Sequence, residues 1–284
     1  MKPRISIVMS AYNVEKYIAE SINSILRQSF RDFELIIVND GSTDRTQSVI
    51  DSFDDKRLIK IVNPRHDFIE SLNTGMATAK GKYVARMDAD DIMHVDRLRI
   101  QHALMEENPE ITVCTSWLTP FGEGIANGCA DGAGAGIVDR PLLRLLERNV
   151  FFNPTSIMRR EFIRHIGLKY KYYDYAEDYK WWVDMAEAGA VFYIDPQPLL
   201  YYRISDQQVS TKYRKQQHES AMRIRGEILD VLTARNAERC PELKSLRESL
   251  NGMKKRDLFT DERIFGLFSH IFEINKNNLF TEIG

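Results

Sequence analysis

The chain has 284 residues, 43% of them hydrophobic, and its 39 basic and 41 acidic residues leave a net charge of −2. This size is enough for one large domain, or for one domain with a helical appendage, and the near-neutral charge argues against nucleic acid as a partner. The three cysteines are far apart and form no CxxC pair, which argues against a disulfide framework and against a structural zinc site.

The first part of the chain alternates between strand-like and helix-like segments. Continuous apolar runs predict strands at residues 5–9, 35–38, 58–62 and 83–87, and helical spacing predicts helices at residues 17–28, 67–79 and 96–107, with a short helix ending near residue 52. Such alternation is typical of an α/β fold with a mostly parallel sheet that helices cover on both faces. Because ligands bind outside the carboxyl ends of strands in these sheets, we expect the site at the polar clusters of residues 10–13, 40–44 and 88–91.

The second half of the chain is organised differently. Residues 121–136 contain six of the 15 glycines, which predicts a mobile loop or lid. Glu177 and Asp178 fall at a predicted helix start, where carboxylates favour the helix dipole, and Trp181 and Trp182 follow on its apolar face. We expect core packing for at least one tryptophan and leave sugar stacking open for the other.

From about residue 211 the pattern becomes helical and charged, and residues 261–280 are amphipathic. We expect this stripe to pack within the chain or in a homodimer. A peripheral membrane contact is the alternative, although the polar face of the stripe is not rich in Lys and Arg. The N-terminus lacks a signal-peptide pattern and no segment approaches the ~20 apolar residues of a membrane span, so we expect a cytoplasmic protein, soluble or peripheral at the inner face of the membrane.

The segment RMDADD, residues 86–91, places three carboxylates within four positions at the end of a predicted strand. Hard divalent cations such as Mn²⁺ or Mg²⁺ are held by carboxylates and by phosphate oxygens, and a nucleoside diphosphate leaving group needs such a cation. Asp88, Asp90 and Asp91 are therefore candidates for one or two metal ligands and for an acceptor of a ribose hydroxyl. A solvated loop, with one Asp capping the next helix, is the alternative interpretation.

A second polar motif, VNDGSTD, follows the second predicted strand. Gly41 permits a tight turn there, and Asp40 is placed to accept a hydrogen bond from the imino group of a base. An ordinary strand-to-helix turn is the alternative, because Asp, Gly and Ser favour turns in any case.

Three stretches, residues 6–46, 71–91 and 176–186, together resemble the family 2 inverting glycosyltransferases of the GT-A fold. The motifs occur in the order of that family, and the match extends over residues 3–205. The resemblance implies a GT-A, Rossmann-like sheet flanked by helices in a catalytic domain of residues 1–210. Its nucleotide-binding half would comprise residues 1–110 and its acceptor-binding half residues 111–210, with residues 211–284 forming a C-terminal helical extension.

The resemblance also implies which residues bind the nucleotide. Ala11, Tyr12 and Glu15 correspond to the loop that cradles the base and the ribose. Asp40 corresponds to the base-binding aspartate, and Asn73 lies in a polar segment that borders the donor.

For the chemistry, the resemblance places Asp88 and Asp90 on the DxD motif, with Asp88 near the ribose and Asp90 on the metal and the diphosphate. Asp91 is a competing metal ligand. Asp178 falls on the aspartate of the ED motif, the expected general base, because an inverting transfer needs a carboxylate that takes the proton of the acceptor hydroxyl. A charged helix start is the alternative for this motif.

One departure concerns a loop histidine that family members often carry near the position of Ser205, where it can reach the diphosphate or the metal. This chain has no histidine there, and Arg203 or Lys212 would have to neutralise the phosphates instead.

Taken together, the motifs predict a metal-dependent inverting glycosyltransferase that uses a nucleotide-sugar donor, expected to be a UDP-sugar. The acceptor would be a hydroxyl of a glycan or of a lipid-linked sugar in polysaccharide synthesis. A catalytically silent sugar-nucleotide-binding or assembly protein on the same fold is an alternative, which the absent histidine favours. A nucleotidyltransferase is another, against which the lack of a glycine-rich N-terminal loop argues.

Overall fold

The computed structural model describes residues 2–122, 134–205 and 212–275. The glycine-rich segment that predicts a mobile loop falls largely on residues 123–133, outside the described residues, so that prediction stays untested. The chain forms two compact units. The first contains Met1–Val138, Phe151–Tyr172 and Ala190–Gln208, and the second contains Asp139–Val150, Tyr173–Gly189 and Val209–Gly284. The boundaries expected near residues 110 and 210 stay predictions.

One half of the sheet of the first unit consists of four parallel strands in the order β3-β2-β1-β4. These strands are β1 (Ile5–Ala11), β2 (Phe33–Asn39), β3 (Leu58–Val62) and β4 (Tyr83–Arg86). They coincide with the four apolar runs of the sequence. The strand β2 is buried along its whole length, as expected for a parallel strand that is covered on both faces.

Helices connect these parallel strands and follow the last of them: α1 (Ile18–Leu26), α2 (Thr46–Asp51), α3 (Phe68–Thr78) and α4 (Arg97–Glu107). In α1 the apolar residues Ile18, Ile22 and Ile25 recur at helical spacing and are buried against the sheet. Asp67 caps α3, because its Oδ1 accepts a hydrogen bond from the Glu70 amide at 2.9 Å.

The other half of the sheet is mixed. It contains β5 (Ile92–Met93), β6 (Val113–Phe121), β7 (Gly136–Ile137), β8 (Ile157–Arg159) and β9 (Phe192–Arg203), with the helix α6 (Arg160–His165) after β8. The strand β8 joins β4 and β6 by antiparallel pairing, whereas β6 and β9 pair in parallel. The strands β5 and β7 each pair with β9 in antiparallel orientation. The expected α/β sheet is confirmed, and its parallel run is concentrated in the first half of the chain.

The second unit is helical. Its helices are α5 (Pro141–Glu147), α7 (Glu177–Glu187), α8 (Arg214–Arg235), α9 (Glu242–Lys254) and α10 (Asp261–Ile274). The amphipathic stripe of the C-terminus buries Ile264, Phe265, Phe268 and Phe272, and α10 packs against α5 and α8. Packing within the unit therefore accounts for this stripe. Among the described helices, none has both the length and the apolarity needed to cross a bilayer.

An ion-pair cluster around the buried Lys180 joins α7 to α8. The ammonium group of Lys180 lies 2.9 Å from Asp184 and 3.0 Å from Glu227, and Tyr173 donates its hydroxyl to Glu227 at 2.8 Å. Burial alone would lower the pKa of Lys180, but the two carboxylates outweigh burial and raise it. A lysine with so little exposure is compatible with folding only because both partners are present.

Candidate active site

The loops that follow β1, β2 and β4 open at the same edge of the sheet, because β1 pairs in parallel with both other strands. Direct hydrogen bonds join the first two loops. The Asn13 amide donates to Ser42 Oγ at 3.0 Å, and Asn13 Oδ1 accepts from the Thr43 amide at 2.8 Å. Glu15 Oε2 accepts from the amide and from Nε of Arg45 at 2.8 and 3.1 Å, and these bonds lower the pKa of Glu15. Glu15 thus braces the two loops.

Asp40 directly follows β2, and it is 1% exposed. Its Oδ1 accepts from Ser71 Oγ at 2.7 Å and from Asn63 Nδ2 at 3.2 Å. Nδ1 of His66 lies 3.1 Å from Asp40 Oδ2 and 3.1 Å from the Asp40 carbonyl oxygen. Because both of these atoms are acceptors, Nδ1 must carry the proton. Side chains that are 23 to 31 residues away in sequence therefore hold Asp40 in place.

Tyr12 lies beside this network. Its ring stacks on the imidazole of His66, with the centroids 3.8 Å apart and the planes inclined by 20°. Ala11 is buried at the end of β1 and fixes the start of the loop, whereas Tyr12 is 41% exposed. Gly41 has φ +71, and a Cβ at this position would lie 3.2 Å from the His66 amide nitrogen. Gly41 therefore lets the loop that carries His66 approach Asp40.

Asn73 lies in α3 and binds the backbone of Tyr170. Its Nδ2 donates to the Tyr170 carbonyl at 3.0 Å, and its Oδ1 accepts from the Tyr170 amide at 2.8 Å. Both amide atoms of Asn73 are thereby used to hold the segment before Tyr172, whose hydroxyl donates to Asp67 Oδ2 at 2.6 Å. In this structure Asn73 braces the loop at residues 168–172.

The carboxylate cluster follows β4, where contacts from α1 and β9 hold it. Asp88 Oδ1 lies 3.3 Å from Nη2 of the buried Arg86. Asp91 is fully buried, and its Oδ1 accepts from the Arg203 amide at 2.9 Å. Ser21 Oγ donates to the Asp91 carbonyl at 2.6 Å. The other carboxylate oxygen of Asp91, Oδ2, is buried without a hydrogen-bond partner among the described residues.

The negative charge of Asp88 contributes to the raised pKa of both Asp90 and Asp91. Burial and the charge of Asp88 raise the pKa of Asp90 to about 6. Burial raises the pKa of Asp91 well above its ordinary value, and the charges of Asp88 and Asp90 add to the effect. Burial also raises the pKa of Asp88, which the charge of Arg86 opposes. The cluster thus carries more negative charge than its surroundings neutralise, and an added cation would relieve this repulsion.

This donor set fits a hard divalent cation, which prefers oxygen ligands, and the unpaired Oδ2 of Asp91 is an atom that such an ion would satisfy. In the parts of the chain that the structure describes, no three His, Cys, Asp or Glu side chains converge into a full ligand set. The chain would therefore supply only some of the six or more ligands of the ion, and oxygens of a phosphate ligand and of water would supply the rest.

Arg203, at the end of β9, contacts the carboxylate cluster, whereas from the sequence we expect it to neutralise phosphates. Its guanidinium lies 4.5 Å from the ring centroids of both Tyr17 and Phe121 and forms an ion pair with Glu20. Its Nε also donates to the Asp90 carbonyl at 2.7 Å. Because these contacts already engage the guanidinium, the geometry favours positioning of the cluster over direct neutralisation of phosphates.

Asp178 belongs to the second unit, whereas the other eight predicted site residues belong to the first. It is the second residue of α7, as predicted, and its Oδ2 accepts from Asn149 Nδ2 at 3.2 Å. Trp181 and Trp182 are 1% and 0% exposed. Core packing therefore applies to both tryptophans, and neither presents an open face on which a sugar could stack. Lys212 also lies in this unit, with its Nζ 5.3 Å from the ring centroid of Tyr213.

Sequence reasoning missed Asn63, Ser71 and His66, because neutral polar residues near a predicted helix start look like ordinary loop residues. It also missed Ser21 and Asn149. The only local signal was the polar run of residues 63–67 directly after a strand, on the edge where the site was expected.

Comparison with known proteins identifies the family of the chain. Residues 6–167 match the model of the family described as Glycosyl transferase family 2. An uncharacterized glycosyltransferase of Haemophilus influenzae is 38% identical over 237 residues, which are 79% of this chain and 73% of that protein. The Escherichia coli protein WfgD, named UDP-Glc:α-D-GlcNAc-diphosphoundecaprenol β-1,3-glucosyltransferase, is 33% identical over 105 residues, which are 37% of this chain and 42% of WfgD.

The fold has a counterpart among solved structures. Staphylococcus aureus TarS, residues 1–349, in complex with UDP-GlcNAc, matches with a TM-score of 0.67 and 21% identity over 81% of this chain and 66% of that one. This similarity confirms the expected GT-A fold. Since the family model covers more than half of the chain, and the H. influenzae relative is similar over most of both sequences, the chain belongs to glycosyl transferase family 2.

Proposed function

We propose that this chain is a metal-dependent, inverting glycosyltransferase that moves a sugar from a UDP-sugar to a hydroxyl group in polysaccharide or glycan synthesis. The observation that carries the proposal is the strand-end edge of the first unit, where the mutually repelling carboxylates after β4 share one edge with the buried Asp40. A nucleoside diphosphate with a divalent cation has the matching chemistry. Its base can donate a hydrogen bond to Asp40, and the cation on its diphosphate can bind the carboxylates.

The nucleotide would bind through the residues of the first two loops. Asp40 would accept the imino hydrogen of the base, and Tyr12 offers a partly exposed ring for stacking. Ala11 and Glu15 shape and brace the loop around the base and ribose, while Asn73 holds a bordering segment. The names of WfgD and of the TarS complex both refer to a UDP-sugar, which supports UDP as the carrier.

The diphosphate of the donor, with its divalent cation, would bind at the carboxylate cluster. Asp90 and Asp91 are the proposed ligands of Mn²⁺ or Mg²⁺, and Asp88 the proposed acceptor for a ribose hydroxyl. A bound divalent cation would offset the charge that develops on the departing diphosphate. The protein's own contribution is to fix this cluster, through the amide of Arg203 on Asp91 and through Ser21 on the backbone.

Asp178 is the proposed general base. In an inverting transfer, a carboxylate accepts the proton of the acceptor hydroxyl while that oxygen attacks the anomeric carbon. The hydrogen bond from Asn149 to Oδ2 orients the Asp178 carboxylate. A glycan or a lipid-linked sugar is the proposed acceptor class, and the name of WfgD, which refers to a diphosphoundecaprenol-linked sugar, supports it.

The first test is isothermal titration of UDP and of GDP into the full chain, with Mn²⁺ and then with EDTA. We expect UDP to bind only with metal, and Asp90→Ala to remove that binding. Asp54→Ala, which changes an exposed carboxylate elsewhere in the first unit, is the matched control. Absence of binding of either nucleotide in the presence of Mn²⁺ would contradict the donor-site assignment.

The second test separates an enzyme from a catalytically silent binding protein. Asp178→Asn should abolish release of UDP from UDP-sugars in the presence of acceptor while UDP affinity stays unchanged. Asp174→Asn, four residues earlier on an exposed position, should keep full turnover. If Asp178→Asn turned over like the unmodified chain, Asp178 would not be the base.

A further inference from the structure

The imidazole of His66 lies where the proposed function places the base of the donor. It donates to the carboxylate of Asp40 and stacks on the ring of Tyr12. We infer that His66 occupies the base subsite in the ligand-free protein and that the base of the donor must displace it. This inference rests on the proposed function, and it makes His66 a determinant of how tightly the base is held.

The ring reproduces both interactions that a base would make. Uracil and guanine are flat rings with an imino N–H, which can donate to a carboxylate while the ring face stacks on an aromatic side chain. Nδ1–H of His66 makes the first contact at 3.1 Å, and the face of the imidazole makes the second with a centroid distance of 3.8 Å to Tyr12. One side chain thus fills both parts of the subsite.

Both carboxylate oxygens of Asp40 already have hydrogen-bond partners among the described residues. Oδ1 is already shared by Ser71 and Asn63, which are both buried. Oδ2 is engaged by His66, and Asp40 as a whole is 1% exposed. Because the carboxylate is almost inaccessible while His66 lies on Oδ2, a base that binds Oδ2 would displace the His66 ring.

The side chain of His66 can rotate away from that position. It lies in the connection between β3 and α3, and its side chain is 54% exposed. The backbone around it is held, because Gly41 lies against the His66 amide and Asp67 caps α3. Rotation about χ1 can therefore carry the ring into solvent without a change of the loop, and exposed side chains make such rotations quickly.

The inference predicts which ligands His66 opposes. A ligand that binds only the open form has its apparent affinity reduced by the fraction of protein that is open. Removal of the imidazole should therefore strengthen the binding of UDP and of GDP by the same factor. Inorganic pyrophosphate with Mn²⁺ needs only the carboxylate cluster, so its affinity should not change.

Titration calorimetry of UDP, GDP and pyrophosphate, each with Mn²⁺, tests the inference on the full chain. His66 has φ +51, which glycine adopts freely, so His66→Gly removes the ring and favours the same loop. We expect His66→Gly to bind UDP and GDP about tenfold more tightly if the closed form holds roughly nine-tenths of the protein. His66→Asn, which keeps an N–H donor but no ring, should fall between, and His165→Ala, at an exposed position on α6, should bind like the unmodified chain.

The outcomes distinguish this inference from the proposed function. If UDP binds the unmodified chain, Asp40→Ala removes the binding, and His66→Gly binds UDP equally or less tightly, then His66 does not occupy the subsite while the donor site stands. If pyrophosphate gains as much as UDP, His66 acts on the carboxylate cluster and the inference is also wrong. If neither the unmodified chain nor His66→Gly binds UDP or GDP, both proposals fall.

Discussion

The buried Arg97 offers a test of how the carboxylate turn is supported. Arg97 begins α4 and is 0% exposed. Its guanidinium donates to three main-chain carbonyls, those of Pro154 at 2.6 Å, Arg86 at 3.0 Å and Ser156 at 3.1 Å, and its Nε donates to Gln101 at 3.1 Å. Arg97 thereby ties the end of β4, where the carboxylates begin, to the segment before β8. We predict that Arg97→Met destabilises the first unit.

The size of the effect follows from these contacts. A buried acceptor that loses its donor costs about 1–3 kcal/mol. Arg97→Met leaves the Pro154 and Arg86 carbonyls and the side-chain oxygen of Gln101 in this state, whereas the Ser156 carbonyl still accepts from the Arg86 amide. Part of the loss is offset, because burying the positive charge of Arg97 itself costs free energy. This cost appears as a pKa that burial lowers to about 9, and the neutral side chain of methionine does not incur it. We therefore expect a net loss of about 3–4 kcal/mol, a large share of the ~5–15 kcal/mol that stabilises a typical domain.

Urea unfolding, followed by tryptophan fluorescence and circular dichroism, measures the effect. Trp117 lies in the first unit, whereas Trp181 and Trp182 lie in the second, so the two units can be followed separately after replacement of one set by phenylalanine. Arg99→Met is the control, because the Arg99 side chain is exposed and its ion pair with Asp96 is a surface pair worth about 0–1 kcal/mol. Equal losses in the two variants would refute the reasoning, since the carbonyls would then be satisfied without Arg97.

Three further predictions concern charge and backbone geometry. Burial raises the pKa of Asp90 from 3.8 to about 6, so this group favours folding below pH 4 and the benefit is lost as the pH rises through 6. Thermal unfolding in EDTA should therefore show that Asp90→Asn is more stable than the unmodified chain at pH 7.5. At pH 4 the two proteins should be equally stable. Gly41→Ala should weaken UDP binding and cost about 1–2 kcal/mol or more in urea unfolding, because it combines a left-handed backbone with a crowded Cβ. Gly167→Ala, which has open space around its Cβ, should cost only the backbone strain and leave UDP binding intact. Lys180→Met should destabilise the second unit by about 1–3 kcal/mol in the same assay, since the partly buried carboxylates of Asp184 and Glu227 lose the cation that they share, whereas Lys215→Met on an exposed pair should change little.

The parallel half of the sheet could be predicted because its physics is local. Each strand is an unbroken apolar run, and each helix repeats apolar residues at helical spacing, so the predicted strands and β1–β4 agree within a few residues. The mixed half could not be predicted in this way. The strands β5 and β7 have two residues each and β8 has three, which is too short for any periodicity, and only their pairing with β4, β6 and β9 defines them.

The second unit shows a different limit of sequence reasoning. The helical character of the C-terminal residues was apparent from their pattern, but α5 and α7 join them only through packing between distant segments. The Lys180 cluster illustrates this, because a lysine on α7 is stabilised by a carboxylate on α8 that is 47 positions later in the chain. No spacing rule links those two positions.

Charged clusters are easier to predict from sequence than the groups that hold them. Three neighbouring carboxylates such as Asp88, Asp90 and Asp91 repel one another wherever they lie, so their presence at a strand end favours the prediction of a cation site. Their separate environments are not local properties. Asp91 becomes distinct because β9 brings the amide of Arg203 to it, 112 positions later in the chain. In the same way Asp40 could be predicted from its motif, whereas His66 meets it only because β2 and β3 pair and Gly41 leaves room. Residue types therefore indicate which chemistry an edge can support, and long-range packing decides which atoms of those residues remain available for a ligand.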